Sequence, residues 1–386
     1  MTKPPMLTAQ QALDHLLSHA KAVGESESVA MQAALGRVLA ENVNSLVDVP
    51  PLDNTSMDGY AVRTADTQNS GSILKIAQRI PAGSVGTQLE PGTVARIFTG
   101  APVPPGADAV VMQEDCAIPD GSADQVQVNI VPISGQWIRR RGEDLTTGKT
   151  ALSAGTFLRP QELGVAASAG LTHLTVKRRV KVAAFFTGDE LALPGEPLKP
   201  GGIYNSNRDT LLACLKSLGC DATDLGIVPD RLDATKQALR QASKDHDLII
   251  TSGGVSVGEE DHIKPAVTAE GRLDLWQIAI KPGKPLAFGA VRKSEKPQDG
   301  EAWFIGLPGN PVSSFVTFLL FVRPFILKLQ GRDAGPMQSY PMRADFDWLK
   351  ADRRNEFLRV KVNEQGGLDL FPNQSSGVLT SASWGD

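Results

Sequence analysis

Cysteine is scarce in this sequence of 386 residues. The three copies stand at Cys116, Cys214 and Cys220, a spacing that fits neither a zinc-binding pattern nor a disulfide framework. Proteins that rely on disulfides belong to oxidising compartments, whereas unpaired thiols are typical of the reducing cytosol. We therefore expect a cytoplasmic protein without structural disulfides.

Neither sign of charge is in large excess. The chain has 39 Lys and Arg residues against 43 Asp and Glu residues, which gives a formal net charge of −4. Broad nucleic-acid binding normally depends on a strongly basic face, so this composition argues against it. An anionic ligand would have to be held by a local cluster of basic side chains.

A long uninterrupted apolar run is also missing. Residues 1–7 contain one lysine and two prolines but no apolar stretch, so they do not resemble a signal peptide. The longest apolar stretch, residues 312–329, is interrupted by Arg323, Pro324 and Lys328. It predicts a buried helix and not a membrane span, and we expect no membrane partner.

The chain is long enough for two to four domains, and 41% of its residues are hydrophobic. Residues 8–23 predict a helix, because Thr8 and Gln11 can form a capping box and Gly24 follows. A second helix is predicted over residues 29–41. The next hundred residues are rich in Pro, Gly and Val with short alternating runs, which indicates a β-rich module.

Beyond residue 179 the pattern becomes regular, since apolar strands alternate with helices. Strands are predicted at residues 180–186, 225–228, 248–251, 276–280 and 303–306. Helices are predicted at residues 207–218 (capped by Ser206), 234–243, from 263 onward and 312–330. This alternation is typical of a doubly wound, three-layer α/β/α domain, and the remaining residues predict a small β-rich tail.

Ligands in such sheets bind beyond the carboxyl ends of the strands, so we examined the segments that follow each predicted strand. These segments are unusual in composition: residues 187–190 (Thr-Gly-Asp-Glu), 229–230 (Pro-Asp), 252–258 (Ser-Gly-Gly-Val-Ser-Val-Gly), 281–285 (Lys-Pro-Gly-Lys-Pro) and 307–311 (Leu-Pro-Gly-Asn-Pro). All of them fall at one edge of the predicted sheet. Their convergence is a stronger indication of a site than any one loop.

Each of these loops also has an ordinary structural explanation. A Ser-Gly-Gly turn is more often a turn than a phosphate cradle, and Lys281 and Lys284 could be solvated surface charges. Proline beside each lysine would instead fix its direction, and two lysines near a helix N-terminus would form an oxyanion pocket. Several carboxylates at the same edge suggest Mg²⁺ with ligand phosphate oxygens. For His262 we favour a structural role, because no second zinc ligand accompanies it.

Together these segments resemble a known family. Residues 53–63 (Asp-Asn-Thr-Ser-Met-Asp-Gly-Tyr-Ala-Val-Arg) are similar to the signature of molybdopterin molybdenumtransferases, a family that includes the E domain of gephyrin. Residues 97–101 with 104–111 resemble its second segment, and residues 140–144 its third. The loops beyond residue 187 match the rest in the same order, so the resemblance spans nearly the whole chain.

The resemblance implies an elongated homodimer of four-domain subunits that transfers molybdate to adenylylated molybdopterin, with Mg²⁺-dependent release of AMP. We place a mixed linker domain at residues 7–41 with 141–178, a β-rich module at 42–140, the doubly wound molybdopterin-binding domain at 179–330 and a C-terminal β domain at 331–386. Molybdopterin adenylyltransferase and molybdoenzymes are possible partners. The family continues beyond the equivalent of Trp384, so the last domain is expected to be shortened here.

The resemblance also implies functional residues, position by position. Catalytic roles fall to Asp58, Thr99, Asp144, Glu190, Asp230 and Asp261, of which the last three would hold Mg²⁺. Ligand-binding roles fall to Ser252, Gly253, Gly254, Ser256, Gly258, Lys281, Lys284, Pro308, Pro311, Ser313, Arg354 and Ser376. Lys281, Lys284, Ser313 and Arg354 would form the molybdate pocket.

Two other functions compete with this one. A molybdopterin adenylyltransferase would share the doubly wound domain, but such enzymes lack the β-rich segments around Asp58 and Thr99. A non-catalytic scaffold, a role that the gephyrin E domain can have, is less favoured because no linker or fused adenylyltransferase domain is present.

Overall fold

The structure is a computed structural model that describes residues 6–255, 262–332, 338–349 and 351–386. The chain forms two compact units. The larger unit contains Met1–Glu27, Gly36–Val38 and Val176–Asp386, and the smaller unit contains Ser28–Leu35 and Leu39–Thr175.

The α-helices of the described residues, numbered in chain order, are α1 (Ala9–His19), α2 (Pro160–Ser168), α3 (Ser206–Ser217), α4 (Leu232–Asp245), α5 (Ile263–Glu270), α6 (Pro311–Thr317), α7 (Arg323–Leu329) and α8 (Thr380–Trp384). The strands are β1 (Ser26–Ala30), β2 (Val43–Asn44), β3 (Asn54–Thr55), β4 (Gly59–Val62), β5 (Ser72–Ile80), β6 (Thr93–Ile97), β7 (Ala109–Met112), β8 (Cys116–Ala117), β9 (Gln125–Val128), β10 (Ile138–Arg139), β11 (Thr150–Leu152), β12 (His173–Lys177), β13 (Lys181–Thr187), β14 (Leu191–Ala192), β15 (Ile203–Tyr204), β16 (Asp221–Val228), β17 (Leu248–Ser252), β18 (Gly271–Gln277), β19 (Ile280–Lys281), β20 (Pro285–Arg292), β21 (Glu301–Leu307), β22 (Asn355–Glu356), β23 (Val360–Val362) and β24 (Leu368–Leu370).

A six-stranded sheet with the order β16-β13-β17-β21-β20-β18 forms the centre of the larger unit. The first four strands are parallel, which confirms the predicted doubly wound arrangement. The sequence did not predict β20, which is antiparallel to both β21 and β18. It also placed the strand before it too late, because β18 ends at Gln277 and a separate short strand, β19, follows.

Helices cover both faces of this sheet and give the three predicted layers. On one face, Leu16 of α1 and Leu211 of α3 pack with Phe325 of α7 against the sheet. On the other face, Leu239 of α4 and Val267 of α5 pack with strand residues in a second apolar cluster. Parallel strands between two helical layers are buried on both sides, which is why they appear in the sequence as continuous apolar runs.

The last long helix is continuous but not uniform. Helix α6 passes through a π-helical turn, Phe318–Val322, into α7. The whole segment Pro311–Leu329 is long and apolar enough to cross a membrane by composition, but 67% of the tested window is buried inside the protein. It therefore packs as a core helix, as predicted.

Helix α1 begins with the predicted capping box. The Thr8 side chain accepts a hydrogen bond from the Gln11 N–H, while the Gln11 side chain accepts one from the Thr8 N–H. The helix ends at His19, earlier than predicted. For α3 the predicted cap is displaced by one residue, since Asn205 and not Ser206 accepts the hydrogen bond from Arg208 N–H.

The helix predicted over residues 29–41 is wrong. The structure has the strand β1 there, followed by one 3₁₀ turn, Met31–Ala34. Gly36 then adopts a φ of 73°, a left-handed conformation that a continuing helix cannot contain. The apolar spacing of this segment therefore reflects burial of Ala34, Val38 and Leu39 in an irregular chain.

The smaller unit is β-rich, as predicted. Its main sheet has the order β7-β4-β6-β5-β9-β8, with β5 and β6 parallel and the other pairs antiparallel. Apolar residues fill both faces, Val62 and Val111 on one and Ala61 and Ile97 on the other. Helix α2 begins at Pro160, also as predicted.

The C-terminal segment belongs to the larger unit. Strand β22 pairs in parallel with β19, β23 and β24 form a hairpin, and the short helix α8 follows. The sequence predicted only β structure in this segment, so α8 was missed.

Candidate active site

The predicted loops converge on one cavity at the carboxyl edge of the larger unit's sheet. The cavity holds about 800 Å³ and is lined by Thr187, Gly188, Glu190, Asp230, Gly253, Gly254, Val255, Lys281, Pro282, Gly283, Lys284, Pro285, Pro308, Gly309, Asn310, Ser313, Arg354, Gln374, Ser375 and Ser376. Each of the five segments named from the sequence contributes to this lining.

The strand register explains the convergence. Phe186 pairs with Ser252, and Ser252 pairs with Leu307, so β13, β17 and β21 end at the same level. Strand β18 runs parallel to β21, because both are antiparallel to β20, and its carboxyl end reaches the same edge. This is the edge at which open α/β sheets bind ligands.

The glycine loop (residues 252–255) lies against the end of β13. Gly253 has a φ of 100° and Gly254 a φ of 64°, conformations that favour glycine. A Cβ atom at Gly253 would lie 2.7 Å from the Thr187 carbonyl oxygen, so only glycine fits this close approach. The predicted ligand-binding residues Ser256 and Gly258 lie outside the described residues.

Ser252 itself holds loops together. Its side chain is buried, and its Oγ donates a hydrogen bond to the Pro308 carbonyl at 2.9 Å. Asn207 Nδ2 donates to Ser252 Oγ at 2.8 Å and to the Gly309 carbonyl at 2.7 Å. Asn207 therefore fastens the glycine loop to the proline loop (residues 307–311), a role that no local sequence pattern indicated.

The lysine loop (residues 281–285) forms a third wall. Pro282 and Gly283 are buried, while Lys281 and Lys284 are exposed. Gly283 has a φ of 105°, and a Cβ atom there would collide with Thr317 Oγ1 of α6. The loop therefore packs tightly on the helix and directs both lysines from a fixed backbone.

Two of the three predicted cations are already paired with carboxylates. Lys281 Nζ lies 2.5 Å from Glu356 Oε1 and 3.9 Å from Asp352 Oδ2. Arg354 donates to Asp352 from Nε at 3.0 Å and from Nη2 at 2.7 Å. Among the described residues, none makes a hydrogen bond or ion pair with the Lys284 ammonium group.

These pairs shift the pKa of Glu356, Asp352 and Arg354. The ion pair with Lys281, supported by a hydrogen bond from Trp348 Nε1 at 2.6 Å, lowers the pKa of Glu356. Hydrogen bonds from the Arg354 side chain and N–H lower the pKa of Asp352, and Asp352 in turn raises the pKa of Arg354. Glu356, Asp352 and Arg354 are therefore ionised at neutral pH.

The opposite wall is acidic. Glu190 is exposed, and its carboxylate lies over Gly188, where a Cβ atom would come within 2.5 Å of Oε2. Asp230 is half-buried, and its N–H donates to Asp189 Oδ1 at 3.4 Å. Asp261, the third predicted metal ligand, lies outside the described residues. Within the described part of the chain, no group of three or more His, Cys, Asp or Glu side chains is arranged to hold a metal ion.

The start of α6 closes the cavity. Ser313 is 4% exposed and lines the cavity, whereas Pro311 does not line it. The Val312 N–H donates to the Ser376 carbonyl at 3.0 Å, so this amide is already occupied by protein. Ser376 thus contributes a backbone carbonyl to the helix start as well as to the cavity lining.

The three remaining predicted catalytic residues lie in the smaller unit. Asp58 Oδ1 accepts hydrogen bonds from Thr99 Oγ1 at 2.6 Å and from the Thr99 N–H at 2.7 Å. These bonds lower the pKa of Asp58 and join the two predicted residues directly. Asp144 is exposed, and its N–H donates to the Val49 carbonyl.

Comparison with known proteins accounts for both units. Residues 7–170 match the family described as the MoeA N-terminal region (domain I and II), and residues 183–328 match the probable molybdopterin binding domain. A molybdopterin molybdenumtransferase of Haemophilus influenzae is 40% identical over 369 residues, which is 95% of this chain and 89% of that protein. The chain belongs to the molybdopterin molybdenumtransferase family. A second family member, from a Nostoc species, is 37% identical over 92% of this chain and 82% of its own length.

Solved structures of the family have the same fold. A molybdopterin biosynthesis MoeA protein from Pyrococcus horikoshii is 28% identical, with a TM-score of 0.79 over 99% of this chain and 94% of that chain. Another structure of a MoeA protein from this organism is 29% identical, with a TM-score of 0.74 over 99% and 93%. The comparisons confirm the resemblance found in the sequence, while the roles of the individual site residues stay predictions.

Proposed function

We propose that this chain transfers molybdate to adenylylated molybdopterin and releases AMP in a reaction that requires Mg²⁺. Membership in the transferase family and a role in molybdenum cofactor biosynthesis support the reaction class. The observation that carries the proposal is the charged lining of the cavity. Basic side chains occupy one wall and carboxylates another, within a space of about 800 Å³.

The size and charge of this cavity suit the two substrates. Small-molecule sites typically have volumes of about 300–1,000 Å³, so the cavity can hold a pterin with its phosphate. Molybdate is a small dianion, and Lys281, Lys284 and Arg354 supply positive charge and directed donors. Gly253 and Gly254 in the glycine loop have left-handed backbones and no side chains, so a phosphate can approach the main chain there.

The acidic wall fits Mg²⁺. This ion usually takes one or two protein carboxylates and completes its shell with substrate phosphate oxygens and water. Glu190 and Asp230, which line the cavity, and Asp261 are the residues that would hold it. When bound, Mg²⁺ would neutralise phosphate charge and polarise the phosphoanhydride.

The protein's own residues then have to place the reactants. Lys284 and Arg354 would orient molybdate, and the Asn207-linked loops would keep the pterin phosphate fixed relative to it. A carboxylate of the acidic wall would position the water that cleaves the phosphoanhydride and would accept its proton. AMP leaves as that bond breaks.

We also propose that the functional enzyme is a homodimer with sites shared between subunits. Asp58 and Thr99 form a linked polar pair in the smaller unit, while the cavity belongs to the larger unit. A twofold dimer would generate two equivalent sites of this kind. The unpaired cysteines agree with a cytoplasmic reaction, and molybdopterin adenylyltransferase and molybdoenzymes are the expected suppliers and receivers.

Reconstitution of an apo-molybdoenzyme tests the activity. Purified protein, adenylylated molybdopterin, molybdate and Mg²⁺ should restore the activity of the apoenzyme and release AMP, and omission of molybdate or Mg²⁺ should prevent it. An adenylyltransferase would instead need free molybdopterin and ATP. A scaffold would support neither reaction, and either result would overturn the proposal.

A further inference from the structure

The basic wall of the cavity is not uniform, because its cations differ in their carboxylate partners. Lys281 and Arg354 are each paired, whereas Lys284 has no partner among the described residues. The three cations and the two carboxylates Asp352 and Glu356 therefore leave a net charge of about +1 for a dianionic ligand. This is less than the full compensation that three free cations would provide.

The two carboxylates are held very differently. Strand β22 pairs with β19 in a register that places Glu356 beside Lys281, and Trp348 Nε1 donates to the other carboxylate oxygen. The Glu356 side chain is only 10% exposed, so its position is fixed from both sides. Asp352 precedes the strand, in a segment without regular secondary structure, and its side chain is 24% exposed.

Asp352 does two things to Arg354. It accepts from Nε and Nη2, which fixes the plane of the guanidinium group and leaves Nη1 without a bond to Asp352. It also places a negative charge next to the cation that lines the cavity. Asp352 does not line the cavity itself, so a bound oxyanion would experience its charge without displacing its side chain.

We propose that Asp352 sets the affinity of the oxyanion site: it directs Arg354 toward the cavity and, through its charge, limits how tightly the site retains a dianion. This inference rests on the proposed function. Binding energy that is equal for substrate and transition state does not accelerate transfer, and a dianion held too tightly stays in its pocket. A carboxylate on the far side of Arg354 keeps the guanidinium group oriented toward the ligand while lowering the affinity for it.

Substitution by asparagine removes the charge and keeps one of the two side-chain acceptors. In Asp352→Asn the remaining oxygen can still accept from the Arg354 Nε and N–H, whereas the bond from Nη2 and the negative charge are lost. We expect the Kd for molybdate to fall about three- to fivefold, the effect of one partly screened charge. Transfer to the pterin at saturating molybdate should become slower. In Asp352→Ala both charge and orientation are lost, so molybdate should bind more weakly than to the Asn variant.

The chain offers a matched control. Asp345 accepts from Arg343 Nε and Nη2 at 2.6 and 3.0 Å, which is the same two-residue carboxylate–guanidinium pair outside the cavity lining. Asp345→Asn should leave molybdate affinity unchanged. Thermal unfolding of each variant in full-length protein establishes that the comparison concerns folded material.

Calorimetric titration with molybdate decides the question. Tighter binding to the Asp352→Asn variant and unchanged binding to the Asp345→Asn variant would support the inference. If the Asp352→Asn variant binds molybdate as tightly as the wild type, or more weakly, the inference is overturned while the proposed function stays intact. Failure of molybdate to bind any variant, wild type included, would overturn both.

Discussion

At the scale of single residues, oxyanion binding in the cavity should depend on how its three cations differ in their carboxylate partners. Ion pairs with Glu356 and Asp352 partly neutralise Lys281 and Arg354, whereas no carboxylate of the described residues is paired with Lys284. Its backbone is held by the tight contact of Gly283 with α6. Lys284 is therefore the cation on which oxyanion binding should depend most.

Lys284→Ala should weaken molybdate binding by about tenfold or more, the loss expected for a hydrogen bond to a charged group. Binding of adenylylated pterin should change far less, because that larger ligand would have many other contacts in the cavity. Calorimetry with each ligand measures both effects. Lys293→Ala, at a half-buried lysine outside this cavity, is the control, and equal effects of the two substitutions on molybdate would contradict the assignment.

Glu190→Gln should slow AMP release while the protein stays folded. Glu190 is exposed at the cavity wall, so a role of its carboxylate in binding a metal ion or water explains it better than a role in stabilising the fold. We expect the same of Asp261→Asn, although that residue lies outside the described part of the chain. A wild-type rate of AMP release at saturating Mg²⁺ would exclude this role, and a large loss of thermal stability would indicate a structural one.

The sequence predicted the cations and glycines of the site but not their partners. Lys281, Lys284 and Gly253 stand in strand-end loops whose position follows from the α/β pattern. Asp352, Glu356 and Asn207 act through pairings that join distant parts of the chain, such as the register of β22 on β19. Hydrophobic periodicity contains no information about such pairings, so these residues could be recognised only in the folded structure.

At the scale of elements, the lysine loop packs tightly against α6. Gly283→Ala should destabilise the protein by more than the roughly 1 kcal/mol expected for a non-glycine residue at positive φ, because the new methyl group also collides with Thr317. Molybdate affinity should fall as well, since Lys284 moves with the loop. Thermal unfolding and calorimetry measure the two effects.

Gly300→Ala is the matched control for this substitution. Gly300 has a φ of 79°, but nothing lies within 4 Å of its added Cβ atom. It should therefore show only the backbone effect and keep full molybdate affinity. If both variants lose equal stability and neither loses affinity, the packing of the lysine loop on α6 does not control the site.

The start of strand β13 is held by a half-buried ion pair whose strength depends on pH. Asp247 accepts from Arg178 Nη1 at 2.7 Å and Nη2 at 2.9 Å and from the Lys181 N–H at 2.9 Å. Burial alone would raise the pKa of Asp247, but the Arg178 hydrogen bonds and the Lys181 N–H outweigh it, and the pKa is lowered. This carboxylate therefore stabilises the fold above its unfolded pKa of 3.8 and stops doing so as pH falls through its lower folded pKa.

Asp247→Asn should cost roughly 1–3 kcal/mol of unfolding free energy at pH 7, and the difference from wild type should shrink steadily below about pH 4. Denaturant unfolding at several pH values measures this. Asp233→Asn, which removes an exposed carboxylate 3.5 Å from Arg231, should cost little at any pH. If the difference in unfolding free energy between Asp247→Asn and the wild type does not vary with pH, the assignment is contradicted.

Elements with strong periodicity were predicted well and those without it were not. The parallel strands β13, β17 and β21 and helix α4 follow from apolar runs and amphipathic spacing. Strand β20 was not predicted, and the helix predicted over residues 29–41 is wrong because Gly36 has a left-handed backbone there. A glycine in this conformation ends a helix whatever the apolar residues around it.

At the scale of the whole molecule, the predicted catalytic residues divide between two units. Asp58 and Thr99 lie in the smaller unit and Lys284 in the larger one, which motivates the proposal of shared sites in a homodimer. An Asp58→Ala chain mixed with a Lys284→Ala chain should then recover activity after subunit exchange. About a quarter of wild-type activity is expected, because half of the dimers are mixed and each has one of two sites intact.

Each variant alone, exchanged with itself, provides the baseline for this complementation. Subunit exchange has to be demonstrated independently, for instance by energy transfer between labelled chains. Absence of recovery despite demonstrated exchange would place Asp58 and Lys284 in the site of the same chain.

Asn207 joins the glycine loop to the proline loop through two hydrogen bonds from one amide nitrogen. Two ligands that press on different loops are then no longer thermodynamically independent, since a displacement imposed on one loop is transmitted to the other. Linkage requires such an effect to be reciprocal: under the proposed function, the pterin would change the affinity for molybdate by the same factor by which molybdate changes the affinity for the pterin. A single side-chain amide would thus couple the two binding equilibria.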